Sequence, residues 1–303
     1  MKKLMYILII LSNGAIAQHT PLLSQYMFNT VALNPAFTGS EGAFCLVSSN
    51  RIQWVGFDGA PTTISLTGHA PIKKTNSSLG LQLFADQIGI DRKMGAFGSY
   101  SYKLAFNKHK LSLGLSGGVS VLKSYYSRLN VIDQGDESIM IDSPIGVLPD
   151  LGFGAHFYNQ KYFLSFSIPM MLTHSYTQDG YKVSNNIKNY NYILGGGTEI
   201  EVNSEIKLEP SVLSKFRLNT TPQVDLNLMA KYKSFIELGM SYRTQEALVG
   251  LFKINLDKQL SLIYSYGTPI SGLGKYTSGS HEFSLKYVFL YQSKIAGPRS
   301  FGW

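Results

Sequence analysis

The sequence predicts an all-β fold, namely a transmembrane antiparallel β-barrel of about 14 strands with a short plug-like extension at the N-terminus. Three observations predict it: an export signal, a composition poor in charge and rich in aromatic residues, and repeated alternation of apolar with small or polar residues. The alternation has a period of two, which is the side-chain period of a β-strand. One apolar face and one polar face suit a wall between lipid and a wet lumen.

The first 17 residues have the three parts of a secretory signal peptide. Lys2 and Lys3 form a basic region, residues 4–11 form an apolar core, and Ala15-Ile16-Ala17 is a small-x-small cleavage site. The apolar core is too short to cross a bilayer as a helix, which needs about 20 residues. We therefore expect an exported chain with a signal peptide over 1–17, an extension over 18–42 and a barrel over 43–303.

Composition distinguishes this chain from an average soluble domain. Charged residues make up 15% of it, where about 25% is usual, and 13% of the residues are aromatic. No later segment predicts a transmembrane helix, which leaves strands as the means of crossing a membrane.

The single cysteine, Cys45, cannot form an internal disulfide. Scattered lysines match no nucleic-acid motif. A soluble exported β-sandwich or solenoid remains the alternative fold.

Residues 109–124 illustrate the alternation, because Leu111, Leu113 and Leu115 alternate with Ser112 and Gly114. The same pattern recurs along the chain, and it predicts where each strand lies. The predicted strands are 43–54, 61–70, 77–86, 93–106, 109–123, 147–158, 161–169, 189–202, 205–219, 222–233, 235–244, 246–256, 259–268 and 280–291.

The connectors between the predicted strands sort by length. Tight joins follow the fourth, sixth, eighth, tenth and twelfth strands, and turn-forming Asn or Asp occupies most of them. They are Asn107-Lys108, Asn159-Gln160, Asn203-Ser204, Lys233-Ser234 and Asp257-Lys258. The long connectors 51–60, 124–146, 170–188 and 269–279 follow odd-numbered strands. Outer-membrane barrels have short periplasmic turns and long outer loops, so we expect both termini in the periplasm.

No residue pattern indicates an enzyme. The six histidines are dispersed, and none of them forms an HExxH motif. His156 is the best candidate for hydrolase chemistry, but its strand parity places it in the lumen, with no serine in a G-x-S-x-G nucleophile elbow. The acidic loop 134–144 lacks the spacing of an EF-hand, so a solvated loop is favoured over a calcium site. We expect no catalytic residue, no cofactor and no metal site.

The stretch SQYMFNTVALNPAFTGS, residues 24–40, precedes Arg51, Gln53 and Trp54 and then residues 59–63, GAPTT. Together with residues 79–89, 99–104 and 281–287, these motifs resemble the PorP/SprF family, outer-membrane proteins of Bacteroidetes associated with type IX secretion and gliding motility. Thr30 departs from the family pattern, in which proline is more typical. The resemblance implies an outer-membrane protein whose partners are periplasmic or outer-membrane type IX proteins or a secreted adhesin, with no nucleic acid.

The opening stretch combines residues that break regular structure with aromatic residues that need burial. We therefore expect it to fold into the periplasmic mouth of the barrel, as a docking site for partners or as a seal. The candidate plug or docking residues are Ser24, Gln25, Tyr26, Phe28, Asn29, Leu33, Asn34, Pro35 and Gly39, and the candidate structural or lumenal residues are Arg51, Gln53 and Trp54. The rival function is a pore or transporter for a small solute, since the polar face would line a channel equally well.

Overall fold

The structure is a computed structural model that describes residues 23–128, 141–177, 180–218 and 220–289. The expected signal peptide and cleavage site lie outside the described residues, as do residues 18–22 of the expected extension and most of the acidic loop. Within the described ranges, no helix is long and apolar enough to cross a membrane.

Almost all of the regular structure consists of strands. They are β1 (Phe44–Ile52), β2 (Thr62–Pro71), β3 (Ser77–Ile88), β4 (Asp91–Phe106), β5 (His109–Ser124), β6 (Gly146–Tyr158), β7 (Tyr162–Ile168), β8 (Thr173–Thr177), β9 (Gly180–Ser184), β10 (Tyr192–Thr198), β11 (Ile200–Glu201), β12 (Ile206–Phe216), β13 (Gln223–Tyr232), β14 (Ile236–Arg243), β15 (Ala247–Asn255), β16 (Leu260–Pro269) and β17 (Ser280–Phe289). Short 3-10 helices occupy Thr30–Ala32, Pro35–Phe37, Tyr126–Arg128, Ile187–Asn189 and Gly272–Lys275.

Fifteen strands form one antiparallel sheet that closes on itself. The first strand pairs with the last, β1 with β17, and β10 pairs with both β7 and β12. Because β11 continues β10 along β12, these two strands share one position and the barrel has 14 strands. Closure leaves no row of unpaired backbone groups facing lipid. The predicted all-β transmembrane barrel is confirmed.

Two details differ from the sequence prediction. The single strand predicted over 189–202 is interrupted at Glu199, between β10 and β11. Part of the long connector predicted over 170–188 forms the hairpin β8–β9, whose strands pair only with each other. Threonine, tyrosine and valine favour strands in this stretch, but five residues per strand are too few to span a bilayer.

One rim of the barrel consists of short turns, and we call it the short-turn rim. It comprises residues 72–76, 107–108, 159–161, 202–205, 233–235 and 256–259. The side chains of Asn159, Asn203 and Asp257 each accept hydrogen bonds from the backbone N–H groups two and three residues later. Such side-chain acceptors stabilise tight turns, which explains why Asn and Asp occupy these junctions.

The opposite rim, the long-loop rim, comprises the described residues 53–61, 89–90, 125–128, 141–145, 169–177, 180–191, 217–218, 220–222, 244–246 and 270–279. Four of these connectors match the long loops predicted from the sequence, whereas 89–90 and 244–246 are short. Loop length therefore differs between the rims on average and not at every position.

The two faces of the barrel wall differ in chemistry. Leu79, Leu81 and Leu83 of β3 point outward and are 55%, 53% and 40% exposed. Ser101 of β4 and Ser112 of β5 point inward and are each 1% exposed. Large apolar side chains on the outside and small polar ones on the inside are the arrangement of an outer-membrane barrel, in which acyl chains cover the outer face.

A charge introduced on the outer face should destabilise the barrel according to its depth in the membrane. Leu81→Arg, near the middle of β3, should lower the free energy of unfolding in lipid vesicles by about 2–4 kcal/mol, while the same change at the exposed turn residue Leu256 should cost about 0–1 kcal/mol. Urea titration with heat-modifiable migration as the readout measures both. Equal losses at the two positions would contradict a lipid-facing β3.

Candidate functional site: the barrel lumen

Residues 23–42, which we call the lumenal segment, lie inside the barrel. Tyr26 is 0% exposed, and Met27 and Phe37 are 2% exposed. Two 3-10 turns form the segment, and the second begins at Pro35, where the missing proline N–H costs no hydrogen bond. The Asn34 side chain accepts the N–H of Ala36 at 2.9 Å. An Asn- and Pro-containing stretch therefore folds compactly without a long helix.

The lumenal segment runs between the two ends of the lumen. Near the short-turn rim, the Gly39 N–H donates to Nδ1 of His69 at 3.0 Å. Near the long-loop rim, the Ser24 N–H donates to the carboxylate of Glu282 at 2.6 Å. The segment thus extends beyond the single mouth that the sequence suggested.

Hydrogen bonds join the middle of the segment to several strands of the wall. The amide of Asn34 donates to the carbonyl oxygens of Ala155 and Phe166, at 3.3 Å and 3.2 Å. The amide of Asn29 donates to Oγ1 of Thr67 at 3.2 Å. Further bonds are Ser167 Oγ to the Leu33 carbonyl, Ser112 Oγ to the Ala36 carbonyl, Ser101 Oγ to the Thr38 carbonyl and Thr38 Oγ1 to Ser99 Oγ.

Tyr26 joins the segment to β13 through a neutral hydrogen bond. Its hydroxyl lies 2.9 Å from Nδ2 and 3.2 Å from Oδ1 of Asn227. Burial raises the pKa of Tyr26 far above its ordinary value of 10.0 because the charged phenolate would lose its hydration. The hydroxyl therefore remains protonated and available as both donor and acceptor.

The apolar side chains of the segment pack against one half of the wall. They form a single cluster with residues of β10, β12, β13, β15 and β16. The cluster consists of Tyr26, Met27, Phe28, Leu33, Ile193, Leu213, Met229, Val249, Leu251 and Ile263. Nζ of Lys253 also lies 5.5 Å from the ring centroid of Phe28. This half of the lumen is a packed core.

The other half of the lumen is filled only in part. A mainly apolar cavity of about 80 Å³ lies between the segment and strands β2 to β5. Leu23 and Val31 of the segment line it, together with Phe84 and Phe97 of the wall and Met170 of the long-loop rim.

Four residues at the long-loop end of the lumen, Ser24, Gln25, Arg51 and Glu282, form what we call the latch. The Glu282 carboxylate accepts the N–H groups of Ser24 and Gln25, at 2.6 Å and 3.3 Å, and lies 3.4 Å from Nη1 of Arg51. Nη1 of Arg51 also donates to Oγ of Ser24 at 2.5 Å. The side-chain amide of Gln25 donates through Nε2 to the carbonyl oxygen of Glu282 at 2.6 Å and to Oγ of Ser265 at 3.2 Å. Charge-assisted bonds of this kind are roughly twice as strong as neutral ones, so the latch fixes one end of the segment.

A second buried ion pair lies beside the latch. The side chains of Arg243 and Asp225 are both 0% exposed, and Nε of Arg243 lies 3.2 Å from Oδ2 of Asp225. Nη1 of Arg243 lies 2.9 Å from Oε1 of Glu246.

Sequence reasoning missed Glu282, Asp225 and Arg243. A signal was present, because charged residues inside membrane-spanning strands are expensive unless they are paired in the interior. The strand register places Asp225 opposite Arg243, and likewise Arg51 opposite Glu282.

Gln53 and Trp54 lie outside the barrel core, just past the end of β1. Both are partly exposed. The Gln53 N–H donates to the Pro61 carbonyl oxygen at 2.9 Å, and the Trp54 N–H donates to Oγ of Ser280 at 3.2 Å. The structure thus separates the candidates: Arg51 contacts the lumenal segment, while Gln53 and Trp54 shape the first long loop.

The remaining chemistry-bearing residues serve packing. The ring centroids of His156 and Phe37 are 4.0 Å apart. Cys45 is buried in β1 as a free thiol. Within the part of the chain that the structure describes, no group of three or more His, Cys, Asp or Glu residues could hold a metal ion.

The sequence matches the family described as "Type IX secretion system membrane protein PorP/SprF" over residues 15–287. The chain belongs to this family. The matched range includes the lumenal segment and the latch residues of β1 and β17. No curated protein matches the chain.

Two solved structures resemble this chain at low sequence identity. The CymD monoaromatic hydrocarbon channel superposes with a TM-score of 0.52 at 12% identity, over 90% of this chain and 94% of CymD. Omp33 of Acinetobacter baumannii gives a TM-score of 0.49 at 7% identity, over 82% of this chain and 100% of Omp33. Identities this low establish only a shared fold, and the CymD comparison supports an outer-membrane β-barrel.

A methyl group at Gly114 should displace the lumenal segment. A Cβ at this inward position would overlap the backbone of Pro35 and Ala36, which cannot rotate away as a side chain could. We expect Gly114→Ala to lower the free energy of unfolding by about 1–3 kcal/mol and to expose a cysteine introduced at Thr38 to maleimide. Gly250→Ala is the matched control, because a Cβ there meets nothing within 4 Å. Similar labelling of both variants would exclude the close contact.

Acid should weaken the attachment of the lumenal segment to the wall. Oε1 of Glu41 lies 2.5 Å from Nζ of Lys286, and this charge lowers the pKa of Glu41 from 4.5 to about 2. A lowered folded-state pKa stabilises the protein above pH 4.5, and this stability is lost as the pH falls towards 2. We expect Glu41→Gln to remove this component, at most about 3 kcal/mol, from the dependence of the unfolding free energy on pH. A variant that still loses as much stability between pH 5 and pH 2 would contradict the assignment.

Proposed function

We propose that this protein is a non-enzymatic component of the type IX secretion or gliding machinery that acts by contact with periplasmic machinery or with a secreted surface adhesin. The observation that carries the proposal is the occupied lumen. A segment held to several strands of the wall by hydrogen bonds, and at one end by the latch, makes the barrel a rigid support for surfaces rather than an open conduit.

The short-turn rim is the proposed periplasmic face. Short turns face the periplasm in outer-membrane barrels, and β1 begins and β17 ends at this rim. The end of β17 at Phe289 then lies at the periplasmic face, and a periplasmic C-terminus stays a prediction. A periplasmic N-terminus stays a prediction, because the lumenal segment reaches the long-loop end at Ser24 and residues 18–22 lie outside the described residues.

The candidate docking residues act indirectly in this proposal. Ser24, Gln25, Tyr26, Phe28, Asn29, Leu33, Asn34, Pro35 and Gly39 are all buried. Their side chains hold the lumenal segment in place, and the exposed turns of the short-turn rim supply the contact with the partner.

A pore or transporter for a small solute is the second candidate function. The cavity of about 80 Å³ beside the lumenal segment favours it, and CymD, which has a similar fold, is a monoaromatic hydrocarbon channel. Transport through this barrel would require the lumenal segment to move away from the wall.

A disulfide between the lumenal segment and the wall should distinguish the two functions. Oγ1 of Thr38 and Oγ of Ser99 are 2.9 Å apart, which places the two side chains within range of a disulfide. In a chain with Cys45→Ala, we expect the oxidised Thr38→Cys/Ser99→Cys variant to support type IX secretion in cells at the level of the wild type. We also expect it to remain electrically silent in planar bilayers.

The reduced variant and the Thr38→Cys single variant are the controls, because neither carries the crosslink. Secretion or solute uptake that stops on oxidation and returns on reduction would contradict the scaffold and favour the transporter. A steady conductance that appears only after reduction would point the same way.

A further inference from the structure

Charge is distributed unevenly around the short-turn rim. The half between β2 and β7 comprises residues 72–76, 103–110 and 158–162, which contain lysines but neither Asp nor Glu. These lysines are Lys73, Lys74, Lys103, Lys108, Lys110 and Lys161. The half between β10 and β17 has both signs, with acidic residues Glu41, Glu199, Glu201, Glu205, Glu209, Glu237 and Asp257 against Lys207, Lys231, Lys233, Lys253, Lys258 and Lys286.

The two halves also differ in how their charges are paired. In the half between β10 and β17, the ion pairs are Lys207 with Glu199 and Glu201, Lys231 with Glu209, Lys233 with Glu205, Lys253 with Glu237 and Lys286 with Glu41. In the other half, Lys74, Lys103, Lys108, Lys110 and Lys161 form no ion pair with any described residue. Among the described residues, positive charge is therefore compensated on one side of the rim, whereas these five lysines on the other side have no acidic partner.

The position of these lysines favours a protein partner over lipid as the occupant of this surface. Lys103 and Lys110 lie on the inward face of their strands, two residues from Ser101 and Ser112, which bond to the lumenal segment. Nζ of Lys110 is 5.9 Å from the ring centroid of Tyr158, a buried residue. Lipid headgroups surround the outer side of the wall, whereas these ammonium groups border the mouth of the lumen.

We infer that the half of the short-turn rim between β2 and β7 is a docking surface for an acidic segment of a partner protein. Carboxylates seated across turns 72–76, 107–108 and 159–161 would neutralise Lys74, Lys108 and Lys161, which form no ion pair with a described residue. Complementary charge steers association and selects partners. The inference rests on the proposed function, in which this rim contacts the secretion machinery, and it adds the chemistry of the contact and its place on the rim.

The full chain in nanodiscs of phosphatidylcholine tests the surface, with a fluorescein-labelled octaglutamate peptide as the probe. We expect binding, measured by fluorescence anisotropy, to weaken at least tenfold in Lys103→Glu/Lys110→Glu and in Lys74→Glu/Lys108→Glu. A rise from 50 to 300 mM NaCl should weaken the wild type similarly. Lys233→Glu/Lys258→Glu is the matched control, with the same charge change at exposed turns of the other half, and it should bind like the wild type.

Equal peptide binding by all the double variants would overturn the inference, as would an affinity of the wild type that does not depend on salt. Anionic lipid is the competing occupant. Native mass spectrometry of the detergent-solubilised chain with phosphatidylglycerol tests it: lipid retained by the wild type and lost in Lys74→Glu/Lys108→Glu would assign the lysines to lipid and overturn the inference.

A different result would reject the proposed function. Type IX secretion that stays intact in a strain lacking the whole chain would reject the role in secretion, while the peptide measurements would still report on the rim. If the proposed function holds, Lys103→Glu/Lys110→Glu should impair secretion at normal levels of the barrel in the outer membrane, and the control variant should not.

Discussion

The structure depends on one constraint: in lipid, each backbone N–H and C=O group must find a partner within the protein. The sheet meets this constraint by closing, with β1 on β17 and β10 on β12. Closure turns one face of the strands towards acyl chains and encloses the other. The enclosed face is polar, so it needs hydrogen-bond partners of its own. The lumenal segment supplies them from backbone groups, the Asn29 and Asn34 amides and the hydroxyl of Tyr26.

The cost of leaving a buried polar group without a partner also explains why the buried charges are paired. An unpaired charge enclosed in a barrel is costly, and removing one partner of a buried pair costs about 3–5 kcal/mol. Arg51 with Glu282 and Arg243 with Asp225 meet as cross-strand neighbours, so the register that closes the sheet also pairs the charges. The latch then uses the Glu282 carboxylate a second time, as the acceptor for two N–H groups of the lumenal segment. Wall and segment thus stabilise each other.

The two halves of the barrel differ in the packing of the lumen and in the net charge of the short-turn rim. The segment packs tightly on the side of β12 to β16 and leaves a cavity on the side of β2 to β5. The uncompensated lysines border the same side of the barrel, at the short-turn rim. The half of the barrel that contains the cavity is therefore also the half whose rim has a net positive charge. A contact made there would act beside the part of the lumenal segment that His69, Ser101 and Ser112 hold by hydrogen bonds.

The sequence by itself determined the barrel, its strand number and the positions of the tight turns, because period-two alternation and turn chemistry are local properties that show directly in the order of residues. The N-terminal motif likewise determined family membership. Local patterns could not show the break at Glu199, the hairpin β8–β9, or the path of the lumenal segment through the lumen. Only the tertiary structure decided that Glu282 meets Ser24 and Arg51, and Asp225 meets Arg243. These contacts join residues far apart in the chain, and they follow from strand register and from the closure of the sheet, which no single stretch of sequence encodes.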